Sequence, residues 1–234
     1  MPGQGRGAIY WMDDRKDAGD LFLPSTHMAA SVNRYPTILA LLLIPLLPAN
    51  AVTPGDAANR SGHPVQAADL YRRGAEQGDA DAALKLGLLI NGGQVPSETF
   101  GTAGSWFIRA CDLGNLVGCH NVAVGYENGP KANDGFQTDI AKAQEYYLRA
   151  AERGYLPSQY NLGSLYANQL LSDDVTGLKW LLIAQRTASS CATFAACKWV
   201  LEDPPAHIKK LRERMSSQDQ ALAAQQADGW VGTK

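Results

Sequence analysis

One stretch constrains this chain more than any other: Ile140 to Tyr166, IAKAQEYYLRAAERGYLPSQYNLGSLY. It reads as two helices joined by a turn at Gly154. From Ile140 to Arg153 the residues are good helix formers, with Ala141, Ala143, Ala150 and Ala151 among them. Gly154 supplies the left-handed cap, and Arg149 and Arg153 sit where cations favour the negative helix end. The second segment, Pro157 to Asn168, opens with a proline whose missing N–H costs nothing in a first turn. Tyr160, Leu162, Gly163, Leu165 and Tyr166 give it a packing face. Ala143, Ala150, Ala151 and Gly163 are small enough for two helices to approach closely. A lone hairpin of this kind cannot bury its apolar face, so it needs stacked copies.

Copies are present. Aligned on the inter-helix glycine, Gly78, Gly114 and Gly154 lie 36 and 40 residues apart. Tyr71, Phe107 and Tyr147 then share a position, as do Arg73, Arg109 and Arg149. In the second helix Leu86-Gly87 matches Val122-Ala123 and Leu162-Gly163. The loop ENGPKANDGFQTD absorbs the longer interval and reads as a surface insertion. A fourth, degenerate copy starts at Val175, with Trp180 in the aromatic position. After it, Pro204-Pro205 opens a helix to Met215, and Ser216 caps a last one to about Ala227. The expected fold is all-α: a right-handed α-solenoid of helix-turn-helix repeats over 63–202, with capping helices over 203–234.

Residues 37–47, TILALLLIPLL, form an apolar run of eleven. A membrane span needs roughly 20 residues. Arg34 precedes the run and Pro48-Ala49-Asn50-Ala51 follows, which predicts a signal peptide over 28–51 cut after Ala51. The stretch 1–27 has no periodicity and reads as disordered, or as an upstream extension before a start at Met28. Residues 52–62 read as a linker. The expected compartment is periplasmic or secreted, with no stable span once the signal is cut. All four cysteines, Cys111, Cys119, Cys191 and Cys197, lie beyond the cut, and an even count in an exported chain suggests disulfides. Antiparallel helices can bring Cys111 and Cys119 within the Cα separation that a disulfide needs. Two buried free thiols are the other reading.

The repeat resembles the Sel-1-like repeat, a relative of the tetratricopeptide repeat. LYRRGAEQGDADAALKLGLLINGG and YYLRAAERGYLPSQYNLGSLYANQ carry the likeness. The copy ACDLGNLVGCHNVAVGYENG resembles the cysteine-rich branch, where the same cysteine spacing is bridged. That likeness implies a Cys111–Cys119 bond. A Cys191–Cys197 bond would pin the point where the pattern fails. The third copy departs from the pattern by replacing the closing glycine with Asn168-Gln169. In the tetratricopeptide relatives the N-L-G helix lines a concave face. The resemblance therefore marks Lys85, Asn121 and Asn161, with His120 and Tyr160 beside them, as a ladder that holds a peptide. The alternative is that the asparagines only brace neighbouring repeats. Arg73, Arg109 and Arg149 read as solvated helix-end charges.

Chemistry is hard to find. The chain has no S-x-x-K, G-x-S-x-G, H-E-x-x-H or Gly-rich phosphate loop. Neither cysteine spacing suits zinc. His120 beside Cys119 would be a catalytic pair only if Cys119 kept its thiol. Glu127 reads as a solvated residue before a turn. No catalytic residue, metal or cofactor is expected. A net charge of -2 gives no reason to expect nucleic acid. The expected role is an exported, non-enzymatic scaffold for an unidentified envelope protein or peptide. The rivals are a cell-wall-directed enzyme or ligand-binder (of β-lactams or peptidoglycan) and a structural subunit of an envelope complex.

Overall fold

The computed structural model describes residues 52–130, 134–191, 197, 200 and 204–232. The predicted signal peptide and the stretch before it lie outside the described residues. The chain divides into two units, 1–53 and 54–234, and the described helices belong to the second. All regular structure of that unit, among the described residues, is helical.

Three hairpins repeat one design. They are α2 (Pro64–Glu76) with α3 (Ala80–Asn91), α5 (Ala103–Asp112) with α6 (Leu116–Asn128), and α7 (Ile140–Ala151) with α8 (Leu156–Ala167). Between the first two lies the single turn α4 (Ser97–Phe100). Each inter-helix glycine is left-handed, with φ of 95°, 96° and 86° at Gly78, Gly114 and Gly154. The residue after each glycine donates its N–H back to the last turn: Asp79 to Gly74, Asn115 to Ala110, Tyr155 to Ala150. That satisfies carbonyls the helix end would otherwise orphan. Asp79 and Asn115 then cap the following helix through their side chains.

The first helices turn small residues and one ring inward. Ala67, Ala75, Ala103, Ala110, Ala143 and Ala150 are buried, with Tyr71, Phe107 and Tyr147. Close approach explains two glycines of the second helices. A Cβ on Gly87 would lie 2.6 Å from the Phe107 ring, and one on Gly163 would lie 2.6 Å from Leu181. Each glycine thus makes room for the next repeat. At the end of the third hairpin, Gln169 takes the positive φ (61°) that Gly93 takes at the end of the first, and the following residue donates back to the helix in both. The missing glycine leaves the turn intact, at the steric cost of a side chain in that region.

Two expectations need correction. Residues 54–60, expected to be linker, form α1 (Pro54–Arg60). Pro54 opens it without loss of a bond, and Asp56 lies in its first turn. Asp56 accepts hydrogen bonds from Tyr71 Oη and Lys85 Nζ, at 2.8 and 2.7 Å, which fastens α1 onto the first hairpin. It serves as the atypical first layer a stack needs. The loop after α6 is not wholly a surface insertion. Phe136 turns inward and is buried against Tyr126, and the Asp134 carbonyl accepts from Gly104 N–H at 2.9 Å. The recurrent arginines Arg73, Arg109 and Arg149 are exposed, as expected of helix-end charges, and two of them also reach the preceding repeat. Arg109 donates from Nε and Nη2 to the Ala75 carbonyl at 3.0 and 2.8 Å. Arg149 reaches Asp112 at 3.2 Å across repeats.

The fourth copy begins as α9 (Asp174–Ser190), with Trp180 buried as expected. The expected caps follow as α10 (Pro204–Arg214) and α11 (Ser217–Asp228), the latter capped by Ser216. Arg214 ties α10 to the third hairpin. It donates to the carbonyls of Tyr166 and Ala167 and pairs with Asp174 at 2.7 Å. Cys111–Cys119 and Cys191–Cys197 are both disulfides, with Cα separations of 4.5 and 5.9 Å.

Candidate partner-docking face

The expected ladder residues lie on the second helices: Lys85 on α3, His120 and Asn121 on α6, Tyr160 and Asn161 on α8. They share helical positions, yet the structure gives them different work. Lys85 is held by both Asp56 carboxylate oxygens, at 2.7 and 3.0 Å, and lies over the Tyr71 ring. Its charge is matched within the fold. Asn161 donates from Nδ2 to Tyr147 Oη at 3.0 Å, and Tyr147 in turn donates to Glu127 at 2.6 Å. So Asn161 braces α8 against α7 and α6. Asn121 is half-buried, and its side chain makes no hydrogen bond among the described residues.

His120 and Tyr160 are buried and cannot present a broad contact surface. His120 is 7% exposed; its Nδ1 is 3.0 Å from Ser158 Oγ, and its ring lies against Tyr147 and Tyr155. Burial pushes its pKa down to about 4, so it is neutral at pH 7. Tyr160 faces His207 of α10, 3.3 Å from Nδ1, in an edge-on ring contact. Its job is to seat the cap.

The residue the sequence pattern did not single out is Glu127. It lies in the last turn of α6, mostly shielded from water. Burial raises its carboxyl pKa, and the Tyr147 hydrogen bond opposes that only in part. Tyr147 is itself raised, by burial first and then by the Glu127 charge. The signal was available: Asn121, Val124 and Glu127 recur at three-residue spacing, which puts them along one side of α6. Asn128-Gly129 after it marks the turn but says nothing of this side of α6.

What is accessible is therefore a strip on the second helices. Leu88, Asn121, Val124, Glu127, Asn161 and Ser164 are half-buried there, mixing apolar and amide groups. Ser164 Oγ donates to the Tyr160 carbonyl at 3.0 Å, one turn back on the same helix. The cysteines near His120 are bonded to each other, so no thiolate is available. Among the described residues no cluster of metal-binding side chains occurs, and no helix is long and apolar enough to cross a membrane.

Cytochrome c oxidase assembly factor 7 of Mus musculus is 32% identical over 106 residues, which cover 43% of this chain and 46% of that protein. The Homo sapiens protein of the same name is 30% identical over the same shares. The chain thus spans less than half the length of these relatives. Among solved structures, a protective antigen of uropathogenic Escherichia coli with an SLR fold aligns at 17% identity and a TM-score of 0.45. It covers 75% of this chain and 44% of its own. A Sel1 repeat protein from Oxalobacter formigenes aligns at 26% identity and 0.45, over 56% of this chain and 55% of its own. The Sel1 repeat pattern matches residues 64–79, 80–115, 116–155 and 156–184, just over half of the chain. The boundaries fall at the turns of the three hairpins, and the chain belongs to the Sel1 repeat family.

Proposed function

We propose that this protein is a non-catalytic scaffold of an oxidising envelope compartment, periplasmic or extracellular, that holds a protein or peptide partner along α3, α6 and α8. The observation that carries this is the strip of half-buried apolar and amide side chains presented by successive second helices. Such a surface is set by the stack and needs no rearrangement to meet an extended segment. Family membership supports it, since Sel1 repeats are protein-interaction modules. The similarity to proteins named as assembly factors points the same way. Two disulfides suit an oxidising compartment, as does the apolar run before the repeats.

Photocrosslinking tests the reading. Benzoylphenylalanine is placed at Asn121 on the strip, or at exposed Arg73 away from it, and intact cells are irradiated. The expected result is a discrete, heavier adduct from position 121 only. No adduct, or the same adducts from both positions, would overturn the proposal.

A further inference from the structure

Glu127 is a carboxylate with a neutral partner. Among the described residues its one hydrogen bond is donated by Tyr147, itself a weak acid. No cation among the described residues lies within ion-pair distance of it. Lys85 is matched by Asp56, and Lys142 pairs with Asp139 while lying over the Tyr126 ring. The position also stands in the last turn of α6, where the helix dipole is negative and a carboxylate is disfavoured. Mostly buried charges are ordinarily paired. Here the fold supplies a hydrogen bond to hold the carboxylate in place and leaves its charge unmatched.

We propose that Glu127 anchors the ammonium or guanidinium of a Lys or Arg side chain in a basic peptide segment laid across α6 and α8. The inference rests on the docking reading above and names the chemistry of the partner. Val124, one turn before Glu127, offers an apolar wall for the methylene stem. Asn121, a further turn back, has an amide free to pair with peptide main chain among the described residues. Asn161 approaches from α8 through Tyr147, which fixes where the carboxylate sits. A metal ion is the poorer fit, because a single carboxylate with amides beside it lacks the several oxygen ligands a hard cation takes.

The test uses immobilised nonapeptides with one residue type fixed at the centre and randomised flanks, overlaid with the full oxidised chain. Centres of Lys and Arg are expected to retain about tenfold more protein than centres of Asp or Glu, as complementary over like charge predicts. Glu127→Gln, which can still accept from Tyr147, is expected to cut that excess to about twofold or less. Retention without a preference for basic centres would refute this inference and leave the docking face standing. Retention at no centre would refute both. An excess that survives Glu127→Gln would refute the anchor. Should that variant fail to fold, wild type overlaid on centres of Lys and of acetyl-lysine decides instead, because acetylation removes the charge and keeps the stem. Retention is expected to fall about fivefold or more on acetyl-lysine, and equal retention on both would overturn the proposal.

Discussion

The second and third hairpins close the same corner in different ways. Where the second has Cys111 and Cys119 bonded, the third has Ala151 and Gln159 at the matching positions. Gln159 is fully buried and donates from Nε2 to the Ala151 carbonyl at 3.2 Å. Its Oε1 is buried with no partner among the described residues. The first hairpin has neither device: Ala75 and Ala83 stand there, both fully buried. One corner is thus held by a covalent bond, by a half-satisfied amide, or by two methyl groups. The backbone turn is the same in all three, so the shape belongs to the glycine and the small residues. What the cysteines add is a constraint on the unfolded chain.

The largest expected effect comes from the residue these two hairpins share. His120 extends from α6 to Ser158 of α8. Its folded pKa, about 4, lies below the ordinary 6.5. The neutral form is therefore favoured by folding. Its contribution is complete above about pH 6.5 and is lost as pH falls towards 4, on the order of 3 kcal/mol in all. Glu127 works in the other sense: its pKa is raised, so its contribution is present below the ordinary carboxylate value and is lost as pH rises through the folded one. Urea unfolding at pH 7 and pH 4.5 should show the steep acid loss in wild type and a flatter profile in His120→Gln. An equal slope in both would remove His120 from the account.

Next in size is the disulfide. Cys111→Ala with Cys119→Ala turns the second corner into a copy of the first, so packing is kept while the crosslink goes. The expected loss is about 2.5 kcal/mol by loop closure, read from urea midpoints of oxidised protein. A loss under about 0.5 kcal/mol would show that the bond is idle and that the three corners are energetically alike. The smallest effect is a gain. Gln159→Met removes the unpartnered acceptor, and the Ala151 carbonyl keeps the Gly154 N–H at 3.0 Å. Stability should rise by up to about 1 kcal/mol. A loss of that size would mean that the amide holds the third corner as the disulfide holds the second.

Much of this was legible in the sequence because it is local. The three turn glycines, the proline and serine helix starts, and the alanine stripes act within a few residues of themselves. They placed the hairpins and caps within a residue or two. The features that escaped depend on partners one repeat away. Asp56 makes a helix of a stretch rich in Pro and Gly because Tyr71 and Lys85 meet it. Phe136 is buried because Gly104 and Gly125 leave space for its ring. Arg109, though exposed, is tied to the preceding repeat because Ala75, 34 residues back, offers a carbonyl. Glu127 owes its environment to Tyr147 and Asn161. The ladder's members match in register but differ in what the neighbouring repeat places opposite them: Lys85 meets Asp56 and His120 and Tyr160 are buried, while Asn121 and Asn161 stay half-buried.

The arginine contacts also give the stack a direction. Arg109 of the second hairpin finishes the helix end at Ala75 in the first. Arg153 of the third donates to the Gly114 carbonyl in the second, at 3.1 Å. Arg214 of α10 does the same for Tyr166 and Ala167 in the third. In every case the later segment donates and the earlier one accepts. A chain emerging from the ribosome therefore carries one unfinished helix end at its growing edge until the next hairpin arrives. Loss of segments from the two termini is unequal as well. Removal from the front strands an arginine, whereas removal from the rear strands carbonyls at a helix end.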